Sequence, residues 1–112
     1  MQVEDRKEGK ILVVKIYDKR IDSTIAYEFK EKMSEFIARN NEFIILNISE
    51  VDFVDSSGLG AIVSSLKMLG GKGDLVICGI KDTVMRMFKL TRMDKVFGIY
   101  DTEEEAITAL SQ

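Results

Sequence analysis

Three apolar runs constrain this chain more than any other feature. Residues 11–17, 43–48 and 75–80 are rich in Ile, Val and Leu and almost free of charge. A half-wet strand alternates apolar and polar residues, whereas continuous runs of this length mark strands covered on both faces. Between them the period changes. Ile25, Phe29, Met33, Phe36 and Ile37 recur at helical spacing, with Lys30, Glu31, Lys32 and Glu35 on the opposite side. Leu59, Ile62, Val63, Leu66 and Leu69 form a second such stripe. Strands alternating with helices over short connections predict an α/β fold. Its sheet should be mixed and mostly parallel, of about four to five strands with about four helices.

Local signals bound the remaining elements. Residues 4–7 read as a short first strand that turns through Glu8 and Gly9. Asp22, Ser23 and Thr24 are helix-starting residues, and Asn40 and Asn41 end that helix. Gly70 and Gly71 close the second helix as residues able to take the left-handed conformation. Asp82 caps a third helix carrying Val84, Met87 and Phe88. Residues 96–100 form a last short strand, and Thr102 with Glu105 stands at capping-box spacing before a final helix through Ala106, Ile107 and Leu110. The chain has no Pro and no Ser/Gly-rich linker, so residues 1–112 are expected to form one domain.

Composition removes most catalytic chemistry. Without His there is no imidazole base, no Ser-His or Cys-His pair and no His-containing zinc site. The single Cys cannot form an internal disulfide, and its place inside an apolar strand predicts a buried, inert thiol. Gly71-Lys72 is not a phosphate loop, since it follows a helix and Gly73 stands where Ser or Thr is required. Ser57 lies outside any G-x-S-x-G elbow. Neither a catalytic residue, a cofactor nor a metal is expected. A net charge of −3 argues against a nucleic-acid partner. The first ten residues lack the apolar core of a signal peptide, and no apolar run approaches ~18 residues. A cytoplasmic place and no membrane partner are therefore expected.

Sheets of this kind put functional groups in the loops beyond the carboxyl ends of their strands. Asp55-Ser56-Ser57-Gly58-Leu59-Gly60 sits there, where a strand gives way to a helix. Asp55 and Ser56 suit a cap, and Gly58 and Gly60 keep bulk away from the turn. The free N–H groups of a first helical turn favour an anion, including a phosphate on serine. In isolation, Asp or Ser before a helix is usually only a cap. The surrounding segment, residues 41–80, carries 5 acidic and 2 basic residues, so its charge is expected to oppose an added phosphate.

Residues 51–60, Val-Asp-Phe-Val-Asp-Ser-Ser-Gly-Leu-Gly, resemble the phosphorylation motif of the STAS-domain anti-sigma factor antagonists, the bacterial partner-switching proteins also called anti-anti-sigma factors. The likeness continues in Arg20-Ile21-Asp22-Ser23, in Gly70-Gly71, in residues 75–79 and in residues 84–88, 94–97 and 102–106. It spans about residues 3–110. The resemblance implies a single STAS domain. Its unmodified form would bind an anti-sigma factor that is itself a serine kinase and so release a sigma factor. Phosphorylation of the motif serine would break the complex, and a serine phosphatase would restore it. By position the acceptor is Ser57, with Ser56 its competitor. Ser23, Ser56, Ser57, Gly58 and Leu59 would contact the partner, and Asp22 and Asp55 would stand beside the acceptor, either orienting its hydroxyl or contacting the partner too. Lys19 and Arg92-Met93 depart from the common pattern and bear on partner choice rather than on the acceptor.

Two alternatives belong beside it. One is a STAS adaptor in a partner switch with a non-sigma output. The other is a receiver-like domain phosphorylated on Asp55, but such a domain needs an acidic pair for Mg²⁺, and Asp18 and Asp22 are single acids with Lys19 and Arg20 between them. Met68, Met85 and Met87 are candidates for reaching the surface, and the Glu103-Glu104-Glu105 run suits a helix N-terminus.

Overall fold

The computed structural model describes all of residues 1–112. The chain begins with a hairpin of β1 (Val3–Glu8) and β2 (Ile11–Ile16), closed by a two-residue turn in which Gly9 takes φ +63°. Strands β4 (Phe43–Asn47), β6 (Asp74–Cys78) and β7 (Ile99–Tyr100) then add in parallel, giving the order β1-β2-β4-β6-β7. The expected mixed, mostly parallel sheet is present, and the 43–48 run is its centre.

Helices α1 (Ala26–Ala38), α2 (Ser56–Met68) and α3 (Asp82–Leu90) lie on one face, and α4 (Glu103–Leu110) lies on the other. The alternation within β2 explains its uninterrupted apolarity. Leu12, Val14 and Ile16 join the main core with Phe29, Met33, Ile62 and Phe88, while Ile11 and Val13 join a smaller cluster with Ala106 of α4. Cys78 is buried in that second cluster, and burial pushes its thiol up to about 12. At neutral pH it is protonated and shielded, as its apolar strand predicts.

Three local expectations change. The first helix begins at Ala26, not at residues 22–24. Asp22 spends its capping capacity on a separate turn: its Oδ1 accepts from the Thr24 N–H at 3.0 Å and the Thr24 hydroxyl at 2.5 Å, while its carbonyl accepts from the N–H groups of Ile25 and Ala26. Asp82 is the first residue inside α3 rather than its cap, which falls to Lys81. The last strand shrinks to Ile99–Tyr100 because a 3-10 turn, Met93–Lys95, precedes it. Arg92 enters that turn at φ +62°, and Phe97 then packs edge-on against Phe88, ring centroids 6.1 Å apart. Methionine exposure is mixed, Met68 being exposed and Met85 and Met87 half-buried.

One pairing has no counterpart in the sequence pattern. Strands β3 (Arg20–Ile21) and β5 (Phe53–Val54) form a separate two-stranded parallel ladder, Arg20 opposite Phe53 and Ile21 opposite Val54. Two residues are too few to show a period. Arg20 also lies over the Phe53 ring at 4.1 Å.

The acidic run at the start of α4 does more than favour the helix dipole. Thr102 caps the helix through the Glu105 N–H at 3.1 Å, while the Glu105 carboxylate returns to the Asp101 N–H. Glu103 accepts from Asn47 Nδ2 at 2.6 Å and Arg6 at 2.8 Å, joining α4 to β4 and β1. Burial raises its carboxyl, but the bonds from Asn47 and Arg6 outweigh that and hold it below its ordinary value. Glu103 thus stabilises the fold fully above the unfolded carboxyl value of about 4.3 and loses that contribution as the pH falls through its lower native value. Glu103→Ala is expected to cost about 1–2 kcal/mol at pH 7, since Arg6 is half exposed and screened. Urea unfolding at pH 7 and pH 3 checks it: the difference between wild type and variant should shrink at the acid end.

Candidate functional site

The β3–β5 ladder places the N-terminal ends of α1 and α2 side by side. Each strand runs straight into a helix-starting segment, so residues 32 or more apart in the chain meet at one corner of the molecule. Asp55 joins the two segments. Its Oδ1 accepts from the Gly58 N–H at 2.8 Å as the cap of α2, and its Oδ2 accepts from the Ser23 N–H at 3.3 Å. A cap of this kind is worth about 1 kcal/mol. Its second bond fixes where the α1 segment sits.

Gly58 holds the same corner from below. A Cβ on this residue would lie 1.9 Å from the Ile21 carbonyl oxygen and 2.7 Å from its carbon. Only a residue without a side chain lets α2 approach β3 so closely. Gly60 is different, since a Cβ there would meet nothing within 4 Å. Of the two motif glycines, then, one is required by space and the other is not.

Ser56 and Ser57 are both exposed in the first turn of α2, and neither hydroxyl is tied to another group of the chain. Their surroundings differ. Ser57 lines a shallow groove of about 400 Å³ between α1 and α2, with Ser23, Ala26, Tyr27 and Lys30 on one wall and Gly60 and Ala61 on the other. Ser56 does not line it. Leu59, by contrast, points into the main core and Gly58 is buried. These two shape the corner from within and present no side chain to a partner. The exposed contacts available there come from Ser23, Lys30, Ser56, Ser57 and Tyr27, the last with 70% of its surface open.

The acidic residues are less free than their count implies. Asp52 pairs with Lys81 Nζ at 2.5 Å and Glu50 pairs with Lys19 at 3.3 Å. Asp22 pairs with Arg20 at 3.1 Å. The Thr24 hydroxyl, followed by Arg20, holds the Asp22 carboxyl below its ordinary range, and Lys81 does the same for Asp52. The expectation of an open acidic surface opposing a phosphate is corrected accordingly: three of the four nearby carboxylates already have a cation. Asp18 accepts from the Gln2 N–H at 2.7 Å, so the two acids weighed for Mg²⁺ are engaged separately.

Tyr27, Lys30 and Lys81 were not singled out by the sequence. The first two had a signal, because Ser23, Ala26, Tyr27 and Lys30 fall on one helical stripe. Lys81 had none, its partner Asp52 being 29 residues away.

Comparison with known proteins gives a consistent result. A family model described as the STAS domain matches residues 2–106. An anti-sigma F factor antagonist of Paenibacillus polymyxa is 30% identical over 112 residues, covering 98% of this chain and 95% of the relative. An anti-sigma-B factor antagonist of Listeria monocytogenes is 29% identical over 86 residues, 76% of this chain and 75% of the relative. The crystal structure of an anti-sigma factor antagonist from Mycobacterium paratuberculosis superposes with a TM-score of 0.90 at 22% identity, covering 99% of this chain and 94% of that one. No helix here is long and apolar enough to cross a membrane.

Proposed function

This chain belongs to the STAS domain family, among its anti-sigma factor antagonists, and from that premise we propose a phosphorylation-controlled partner switch centred on Ser57. In this reading the unmodified chain acts in the cytoplasm and is not itself an enzyme. It binds an anti-sigma factor with serine kinase activity and so frees a sigma factor. The kinase transfers the γ-phosphoryl group of ATP to Ser57 Oγ. A P–O bond forms to the serine as the bond to ADP breaks, and the hydroxyl proton passes to a base on the kinase. A serine phosphatase reverses the modification by hydrolysis.

The observation that carries this reading is the setting of Ser57. Its hydroxyl is exposed and unengaged, it opens onto the α1–α2 groove, and Asp55 and Gly58 hold its backbone in place. A substrate serine must be reachable by another protein's active site, and rigid flanking backbone lowers the cost of presenting it. Ser56 shares the exposure but not the groove.

The test uses the anti-sigma kinase captured from the native lysate and labelled ATP. Wild type and Ser56→Ala are expected to take up one phosphate per chain, and Ser57→Ala none while remaining folded and bound. Stoichiometric labelling of Ser57→Ala would transfer the acceptor role to Ser56.

A further inference from the structure

Given Ser57 as the acceptor proposed above, we infer that Lys30 is the counter-ion of the modified form, its ammonium closing on the phosphate across the α1–α2 groove.

The charges of α1 are sorted by face. Glu28, Glu31, Glu35 and Lys32 all line a different depression, beside Met1 and Val3, where Glu28 meets the terminal amine and Lys32 meets Glu35 at 3.6 Å. Lys30 alone carries charge on the side that faces Ser57. It forms no ion pair. Its neighbours one turn away on α1 are Ala26, Tyr27, Met33 and Ser34, none of them a carboxylate. Across the groove stand Gly60 and Ala61, which leave room for the chain to lie down.

Direction favours the contact as well. The bond between Ser23 and Asp55 sets the N-terminal ends of α1 and α2 together. Helical side chains lean toward their own N-terminus, so Lys30 extends back toward the turn that holds Ser57. A lysine suits the task, being a flexible point charge with three donors that can reach phosphate oxygens without demanding one fixed geometry. The anions that also face the phosphate are Asp55 and Asp22, and both carboxylates are held by partners of their own: Asp55 by the N–H groups of Gly58 and Ser23, Asp22 by Arg20 and Thr24. Tyr27 brings a phenol to the same wall of the groove.

The consequence is a phosphate laid into the groove rather than projecting from it, occupying the surface between Tyr27 and Gly60. The test is a ³¹P NMR titration of protein with phosphoserine installed at position 57 during translation, at low salt. The second ionisation of phosphoserine falls near pH 6. A facing ammonium favours the dianion, so Lys30→Gln is expected to raise the midpoint, the proton concentration there falling about two- to fourfold. Lys30→Arg should keep most of the wild-type value, and Lys32→Gln, on the other face, all of it. Identical midpoints in wild type and Lys30→Gln would overturn the assignment, as would equal shifts from Lys30→Gln and Lys32→Gln. No kinase enters the experiment. A natural kinase that ignored Ser57 would therefore defeat the functional proposal and leave this titration as it stands.

Discussion

Ser57→Asp is expected to bind the anti-sigma kinase about a hundredfold more weakly than the unmodified chain, with its own fold and melting temperature nearly unchanged. The fold is spared because the new carboxylate stays exposed at a helix N-terminus, which returns about 0.3–1 kcal/mol. Of the acids that could oppose it, Asp52, Glu50 and Asp22 are already paired with Lys81, Lys19 and Arg20, and Asp55 is held by the N–H groups of Gly58 and Ser23. An interface reverses the balance. A charge desolvated there without a partner costs several kcal/mol, and each ~1.4 kcal/mol is tenfold in affinity. Aspartate brings one charge where phosphoserine brings about −1.5 to −2, so the variant sets a lower limit to the effect of modification. Calorimetry at low and high salt separates the two causes. Desolvation predicts a loss that persists in salt, whereas long-range repulsion between acidic surfaces would be screened away within a Debye length of about 8 Å at physiological ionic strength. The pairing of Asp52 and Glu50 favours the first outcome. An unchanged dissociation constant would sink the switch.

Gly58→Ala and Gly60→Ala are expected to move stability in opposite directions, although they lie two residues apart in the same helix. Replacing an interior helical Gly by Ala is intrinsically favourable by about 0.5–1 kcal/mol. At Gly60 nothing opposes that gain, since the added methyl meets open space. At Gly58 the methyl would sit 1.9 Å from the Ile21 carbonyl, a backbone atom held by the β3–β5 ladder and by the Asp55 N–H. Overpacking costs about 1–3 kcal/mol where side chains can adjust, and a rigid backbone puts this site at the upper end. The net loss of about 2 kcal/mol corresponds to a fall of roughly 8–10 °C in Tm. The same displacement would move Ser57, so Gly58→Ala should also slow phosphate uptake. Thermal melting of the two variants is the check, and equal shifts of the same sign would contradict the close approach.

The continuous apolarity of residues 11–16 and 43–47 gave away both the double covering of the sheet and its centre, because a two-sided strand leaves no polar residue to mark a wet face. The Asp55 cap and the turn at Gly70 and Gly71 were legible for a similar reason, as each is a bond or a backbone angle confined to a few neighbouring residues. Asp22 and Asp82 had the same signature and were misplaced by a few positions. A carboxylate that can cap a helix can equally close a short turn: Asp22 closes one of its own onto Thr24 ahead of α1, and Asp82 lies one residue inside α3.

Sequence alone determined the order of elements, the two-sided sheet, the family resemblance and the segment that holds the proposed acceptor. Each of these is written in period, in capping chemistry or in a contiguous motif. Only the tertiary structure decided that Gly58 is required by space and Gly60 is not, that three of the four local acids already have a cation, and that Lys30 shares a groove with Ser57. All three depend on which backbone lies beside which. That was settled by a two-residue ladder, Arg20–Ile21 against Phe53–Val54, too short to leave a pattern in the chain yet sufficient to bring two helix starts together.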